Sequence, residues 1–225
     1  MASFVQHGKK IIAIGRNYVA HAKELGNATP KEPFFFLKPT SSYVESGGKV
    51  EIPKGVIAHH EVELGLVIGK RGRDISQSSA DSYISGYTLA VDMTARNLQD
   101  RVKKQGLPWS AAKGFDTFTP IGAFIPKSAI SNPDDLRLKL TVNGQVKQDG
   151  STADMLFKIP KLLENVSAIM TLEEGDVVLT GTPSGVGPIV PGDIVECTLS
   201  DASGKQLAKL DFSAVQREGG YEFKE

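Results

Sequence analysis

The stretch His59-His60-Glu61-Val62-Glu63-Leu64 holds the residues whose types and spacing best suit chemistry. Side chains two apart on a strand share a face, so Glu61 and Glu63 project together while Val62 and Leu64 enter the opposite side. Two like charges on one face repel. A divalent cation removes the conflict by neutralising both, and open water on an exposed strand face removes it too. Asp92 offers a third carboxylate: it closes the apolar run Tyr87-Thr88-Leu89-Ala90-Val91 where a helical pattern begins, a place that suits either a ligand or the cap of that helix. Glu61, Glu63 and Asp92 together present hard oxygen donors, which favours Mg2+ or Mn2+ over zinc, with water or substrate completing a roughly octahedral shell.

His21 and Glu24 stand three apart, on the same face of a short helix. A carboxylate can orient an imidazole and stabilise its protonated form, so the pair suits a general base; the plain alternative is a surface pair. Lys113, in Ser110-Ala111-Ala112-Lys113-Gly114-Phe115-Asp116, is a further candidate, as is the glycine-rich run from Leu179 to Gly187. After the apolar Val177-Val178-Leu179, that run could bring backbone amides and the Thr182 hydroxyl close to a carboxylate ligand, or form only a tight turn. It lacks the Gly-Lys-Ser/Thr ending of a phosphate loop and the dinucleotide fingerprint.

The elements that must position these groups are mostly strands. Lys9 to Gly15 reads as a buried strand with a turn at Gly15, and Tyr18 to Asn27 as a short helix closing at Gly26-Asn27. Phe34 to Lys38 is an apolar strand stopped by Pro39, and two β-rich runs lie between Lys49 and Lys70. Asn143-Gly144, flanked by alternating residues, marks a hairpin. Met155 to Leu172 reads as helical on either side of Pro160. The tail alternates strands with turns at Gly175-Asp176, Pro191-Gly192-Asp193 and Ser203-Gly204. Many strands, short helices and no βαβ rhythm predict an α+β, β-rich domain instead of a doubly wound sheet. A small N-terminal portion carrying the His-Glu pair, residues 1–53, is expected ahead of a larger β-rich body, residues 54–225.

Composition narrows the partners. Twenty-six basic and 26 acidic residues give a formal net charge of zero, and no basic stripe interleaved with aromatics is present, which argues against general nucleic-acid binding. The lone cysteine, Cys197, sits in an alternating strand pattern and reads as a small buried hydrophobe in a reducing compartment. No run approaches the roughly 18–20 apolar residues of a membrane span and the first ten residues lack the apolar centre of a signal peptide, so no membrane partner is expected; those ten residues also contain no arginine, so a cleaved mitochondrial presequence is not evident.

Taken in order, the chain resembles the fumarylacetoacetate hydrolase family from Ile11 to Phe223, and within it the short acylpyruvase and oxaloacetate-processing members. The resemblance is carried by Gly15-Arg16-Asn17-Tyr18 with His21 and Glu24, Phe36-Leu37-Lys38-Pro39, His60 to Leu64, Asp92-Met93-Thr94-Ala95-Arg96 with Gln99-Asp100, Gly106-Leu107-Pro108-Trp109 with Lys113, and Leu179-Thr180-Gly181-Thr182-Pro183. It implies one catalytic domain over 11–223, mixed β-sheets rolled around a metal site, and a homodimer. It also implies Mg2+ or Mn2+ at Glu61, Glu63 and Asp92, His21 and Glu24 as a water-activating dyad, Lys113 near the reacting oxygen, and Arg16, Arg96, Gln99 and Thr182 lining a pocket for a small α-keto acid. The activities implied are oxaloacetate keto–enol tautomerisation or decarboxylation and acylpyruvate hydrolysis, all through an enolate. Isomerases and hydrolases of aromatic-degradation intermediates, and a non-catalytic metal-binding scaffold, are the alternatives. Eukaryotic relatives are often mitochondrial, while the early strand leaves little leading sequence, so mitochondrial matrix and cytosol both stay open.

Overall fold

Ile11, Ile12, Ala13 and Ile14 are all buried, and they face alternately two apolar surfaces: Ile12 and Ile14 enter the main core, Ile11 and Ala13 a smaller cluster behind the same sheet. This is the period-two signature of a strand covered on both faces. The computed structural model describes residues 4–24, 26 and 28–224; Asn27, half of the expected helix stop, lies outside them, as do residues 1–3, Leu25 and Glu225.

In chain order, a one-turn helix α1 (Phe4–His7) leads into β1 (Ile11–Gly15), α2 (Val19–Glu24) and β2 (Phe34–Lys38). Next come β3 (Tyr43–Glu45), β4 (Lys49–Ile52), β5 (Ala58–His60) and β6 (Val62–Ile68), the last two separated by Glu61. Then follow β7 (Ile84–Val91), β8 (Thr94–Ala95), α3 (Arg96–Lys104) and α4 (Ser110–Lys113). The short β9 (Thr119–Ile121) and β10 (Ile125–Pro126) precede the hairpin β11 (Leu136–Val142) and β12 (Gln145–Ser151). Helix α5 (Ile159–Ile169) and strands β13 (Val177–Leu179), β14 (Gly187–Ile189), β15 (Ile194–Asp201) and β16 (Gln206–Gln216) complete the chain.

Three sheets result, the two larger ones mixed and the smallest antiparallel. Eight strands run β2-β1-β13-β6-β7-β9-β3, with β10 beside β7; five run β12-β11-β15-β16-β4; three run β14-β5-β8. Strands β1 and β13, and likewise β4 and β16, pair in parallel, so residues on either side of Pro53 share both larger sheets. The main core lies where β11, β15 and β16 pack across β6 and β7, filled by Leu64, Leu66, Leu89 and Val91 against Leu138, Leu140, Leu210 and Phe212. Cys197 is wholly buried in this core, and burial pushes its thiol far above the ordinary cysteine value.

Local signals explain most boundaries. Asn143 and Gly144 both take positive φ, 50° and 77°, as a tight hairpin turn of primed type demands. The expectation of helix on both sides of Pro160 is corrected: α5 begins at Ile159 with the proline in its first turn, where a missing N–H costs nothing. Upstream the backbone is engaged elsewhere. Met155 forms a β-bridge with Tyr18, and the Phe157 N–H donates to Asn17 Oδ1 at 2.8 Å.

Candidate metal centre and active site

Strands β6 and β7 are antiparallel, with Val62 opposite Val91 and Glu63 opposite Ala90. One residue beyond Val91, the Asp92 N–H donates to the Glu61 carbonyl at 2.8 Å. Three carboxylates thereby reach one spot: one oxygen from each of Glu61, Glu63 and Asp92 lies within 4.8 Å of the others. All three residues are buried, at 5%, 1% and 1% exposure, which excludes a solvated strand face. The capping reading of Asp92 fails as well, because the residue preceding α3 is Ala95 and no side chain caps that helix.

Cationic side chains compensate two of the acids. Lys113 Nζ bridges Glu61 Oε2 at 2.9 Å and Asp92 Oδ2 at 2.5 Å, and Arg96 donates to Glu61 Oε1. Lys38, its side chain fully buried, donates to Asp92 Oδ1 at 2.5 Å and to the Phe118 carbonyl at 2.7 Å. Burial works against the charged form of Glu61, but Lys113 and Arg96 overcome it and hold this carboxyl far below the usual range. Burial opposes the charged form of Lys113 too, yet Asp92 and Glu61 raise its pKa. Glu63 differs: it accepts the Gly181 N–H at 2.7 Å but no cationic side chain, and burial, with Asp92 and Glu61 alongside, pushes it well above the ordinary carboxylate value. Converging hard oxygens, one of them repelled and uncompensated, fit a divalent cation, which the three carboxylates would hold.

His21 is 5% exposed on α2, its Nδ1 3.6 Å from Glu24 Oε2, and that nitrogen has no hydrogen-bond partner among the described residues. Burial lowers the imidazole pKa from its ordinary value, so the ring is neutral near pH 7 and able to accept a proton. The Glu24 carboxylate accepts the Gly185 N–H at 3.0 Å, joining α2 to the glycine-rich run. Within that run the expected hydroxyl contact is redirected. Thr182 Oγ1 donates to the Val62 carbonyl at 2.8 Å and accepts from Gln148 Nε2 at 2.7 Å, so it braces the start of β6, which carries Glu63 and directly follows Glu61. The amide that reaches one of the three clustered carboxylates is that of Gly181, which donates to Glu63; Gly181 holds φ 99°, and an added Cβ there would come within 2.7 Å of Asn17 Cβ.

A cleft opens onto the carboxylates. Arg16, His21, Arg96, Gln99, Lys113 and Thr182 all line it, together with the three acids, whereas Glu24 stands behind His21 outside the wall. Trp109 packs edge-on against Phe34 at 5.8 Å and tilted against Phe36 at 5.4 Å to form the apolar side. Gln99 Oε1 accepts from Arg96, so these two residues reach the cleft as a unit.

Two buried groups without an expected role support the site. Lys38 had a signal: a lysine closing an apolar strand before proline parallels an aspartate closing another. Gln148 had none, since it is the one buried residue of a strand otherwise exposed or half-buried; yet its Oε1 accepts from Val62 N–H at 3.0 Å and lies 2.9 Å from His60 Nδ1.

Residues 10–212 match the family model described as fumarylacetoacetate (FAA) hydrolase C-terminal. The chain is 56% identical over 202 residues to a mitochondrial oxaloacetate decarboxylase of Dictyostelium discoideum, covering 89% of this chain and 93% of that one. It is also 56% identical over 203 residues to the mitochondrial oxaloacetate tautomerase FAHD1 of Arabidopsis thaliana, covering 90% and 91%. A solved structure of fumarylpyruvate hydrolase from Pseudomonas aeruginosa in complex with Mn2+ and pyruvate superposes with a TM-score of 0.85 at 33% identity, over 93% of this chain and 91% of that one.

Proposed function

The chain belongs to the fumarylacetoacetate hydrolase family, and on that premise we propose that it is a divalent-cation-dependent enzyme of small α-keto acids, an oxaloacetate keto–enol tautomerase and decarboxylase that also hydrolyses acylpyruvates. The observation that carries this reading is the buried cluster of Glu61, Glu63 and Asp92 facing one cleft with His21 and Lys113. Mg2+ or Mn2+ held by the three carboxylates would supply Lewis acidity to the adjoining carboxylate and keto oxygens of an α-keto acid; the Mn2+ and pyruvate of the Pseudomonas hydrolase support that chemistry.

Tautomerisation takes one proton from C3 and delivers one to the C2 oxygen. Neutral His21 is the acceptor at C3, and the Lys113 ammonium donates toward the oxygen on which negative charge develops. Exchange with solvent resets both groups. Decarboxylation breaks the C3–C4 bond instead; its electron pair stays on C3, giving the enolate of pyruvate, and no water is consumed. With an acylpyruvate, His21 backed by Glu24 takes a proton from water as that water attacks the distal carbonyl, and carbon–carbon cleavage releases a carboxylic acid and the same enolate. Arg96 and Gln99, held to each other, orient the substrate against the carboxylates. A homodimer accompanies this reading through the family resemblance, and a mitochondrial setting is supported by the names of both oxaloacetate-processing relatives.

The branches separate by nuclear magnetic resonance in deuterated water with oxaloacetate and acetylpyruvate as substrates. The proposal expects enzyme-dependent deuterium entry at C3 of oxaloacetate ahead of carbon dioxide release, and acetate with pyruvate from acetylpyruvate. If neither substrate exchanges or disappears faster than in enzyme-free solution, the assignment fails.

A further inference from the structure

An α-keto dicarboxylate carries one carboxylate beside its keto group and a second at its far end. The inner cations of the cleft are already engaged: Lys113 with Glu61 and Asp92, and Arg96 with Glu61. Two lining cations are not. Arg16 sits over the Phe34 ring at 5.5 Å, and neither Arg16 nor Lys103 forms an ion pair among the described residues. Lys103 reaches the wall by helix geometry, because Arg96, Gln99 and Lys103 fall at i, i+3 and i+7 of α3 and so share one face. Its neighbour Lys104 points elsewhere and does not line the cleft. Arg16 holds a left-handed backbone, φ 56°, a conformation uncommon for a residue with a Cβ and often found where a side chain must be aimed.

The geometry points to Lys103, with Arg16, as the reader of the distal carboxylate, so that the cleft selects dicarboxylic α-keto acids over those whose far end is uncharged. This rests on the proposed oxaloacetate chemistry and names the specificity device within it. A mobile ammonium at the end of a long stem suits the task, since it supplies charge without fixing the length of the substrate.

The test compares oxaloacetate with its 4-methyl ester, which masks only the distal carboxylate, by the ratio of their kcat/KM values for tautomerisation. Lys103→Met is expected to lower that ratio about tenfold, the size of one charge-assisted hydrogen bond, with the loss falling on KM, and Lys103→Arg to restore most of it. Lys104→Met, one residue along and outside the cleft, is expected to leave the ratio as in the wild type. A ratio in Lys103→Met within threefold of the wild type overturns the inference. So does an equal loss on both substrates, or an equal fall in Lys104→Met, which would reveal only a general charge field. A wild-type protein inactive on both compounds overturns the oxaloacetate reading itself, and this inference with it.

Discussion

The amide of Asp92 and the carbonyl of Glu61 are joined at 2.8 Å, one step past the last paired residues of β6 and β7. Two ligand candidates 31 positions apart are thus held opposite each other by the main chain, with Lys113 bridging their carboxylates. Their side chains can be altered without undoing the ladder that brings them together, which makes the cluster open to substitution.

Among the described residues Glu63 is the acid of the cluster with no cationic partner, so its charge is the least comfortable in the protein without metal. Glu63→Gln keeps the shape and removes the repulsion. We expect its melting temperature in chelator to equal or exceed that of the wild type, while the gain on adding Mn2+, about 2.7 kcal/mol at one hundred times Kd for the wild type, is lost. Calorimetry with chelator and then with Mn2+ reads both terms. A marked drop in chelator would contradict this account of Glu63.

Lys38 has the opposite standing. Its ammonium is enclosed by Asp92, the Phe118 carbonyl and the Met93 carbonyl, with no path to water. Lys38→Met leaves Asp92 with one cation fewer in a dry environment, at an expected cost of about 3–5 kcal/mol. Adding Asp92→Asn should recover part of that loss, because the neutral amide no longer needs the charge. A double-mutant cycle by urea denaturation measures the coupling, and simple additivity would show that Lys38 acts on packing alone.

The carboxylates were legible in the sequence because acids at period two within an apolar strand, and an acid ending another apolar strand, conflict with burial unless something compensates them. The hairpin at Asn143-Gly144 was legible because positive φ at both positions selects those residue types. What compensates the acids was less visible: Lys38 and Arg96 approach from separate elements through tertiary contacts that no local spacing encodes. The stretch ahead of Pro160 misled for a related reason. Its apolar residues satisfy a helical period, but Asn17, far away in the chain, takes the backbone of Leu156 and Phe157 instead.

Burial lowers the His21 pKa below its ordinary value of 6.5. The ring loses its capacity to accept a proton only as pH falls through that lowered value, so acetylpyruvate hydrolysis should hold its rate at pH 6.5 and decline at more acidic pH. His21→Ala should cost about 100-fold to 10,000-fold in kcat and abolish the limb, with Mn2+ affinity retained. A pH profile of kcat beside a Mn2+ titration separates these effects; an acid limb that survives in His21→Ala would assign it to another group.

Gln148 joins the second sheet to the site, accepting from Val62 and donating to Thr182 and to the Pro183 carbonyl at 2.9 Å. Gln148→Leu fills the space but leaves these buried groups unpaired, at about 1–3 kcal/mol for each. Reduced stability with weaker Mn2+ binding is expected, since the start of β6, between Glu61 and Glu63, loses a brace. Unchanged thermal unfolding would show that the amide contributes no net stability.

The central claim is that the three carboxylates make this protein a cation-dependent catalyst of oxaloacetate tautomerisation. The most direct measurement is the rate at which enol-oxaloacetate absorbance is lost with purified protein, in Mg2+, after chelation, and with Asp92→Asn in Mg2+. The account predicts rapid loss in Mg2+ that falls to the uncatalysed rate on chelation, returns on adding Mg2+ back, and is absent in Asp92→Asn. A rate that persists at full strength through chelation and in Asp92→Asn would contradict it.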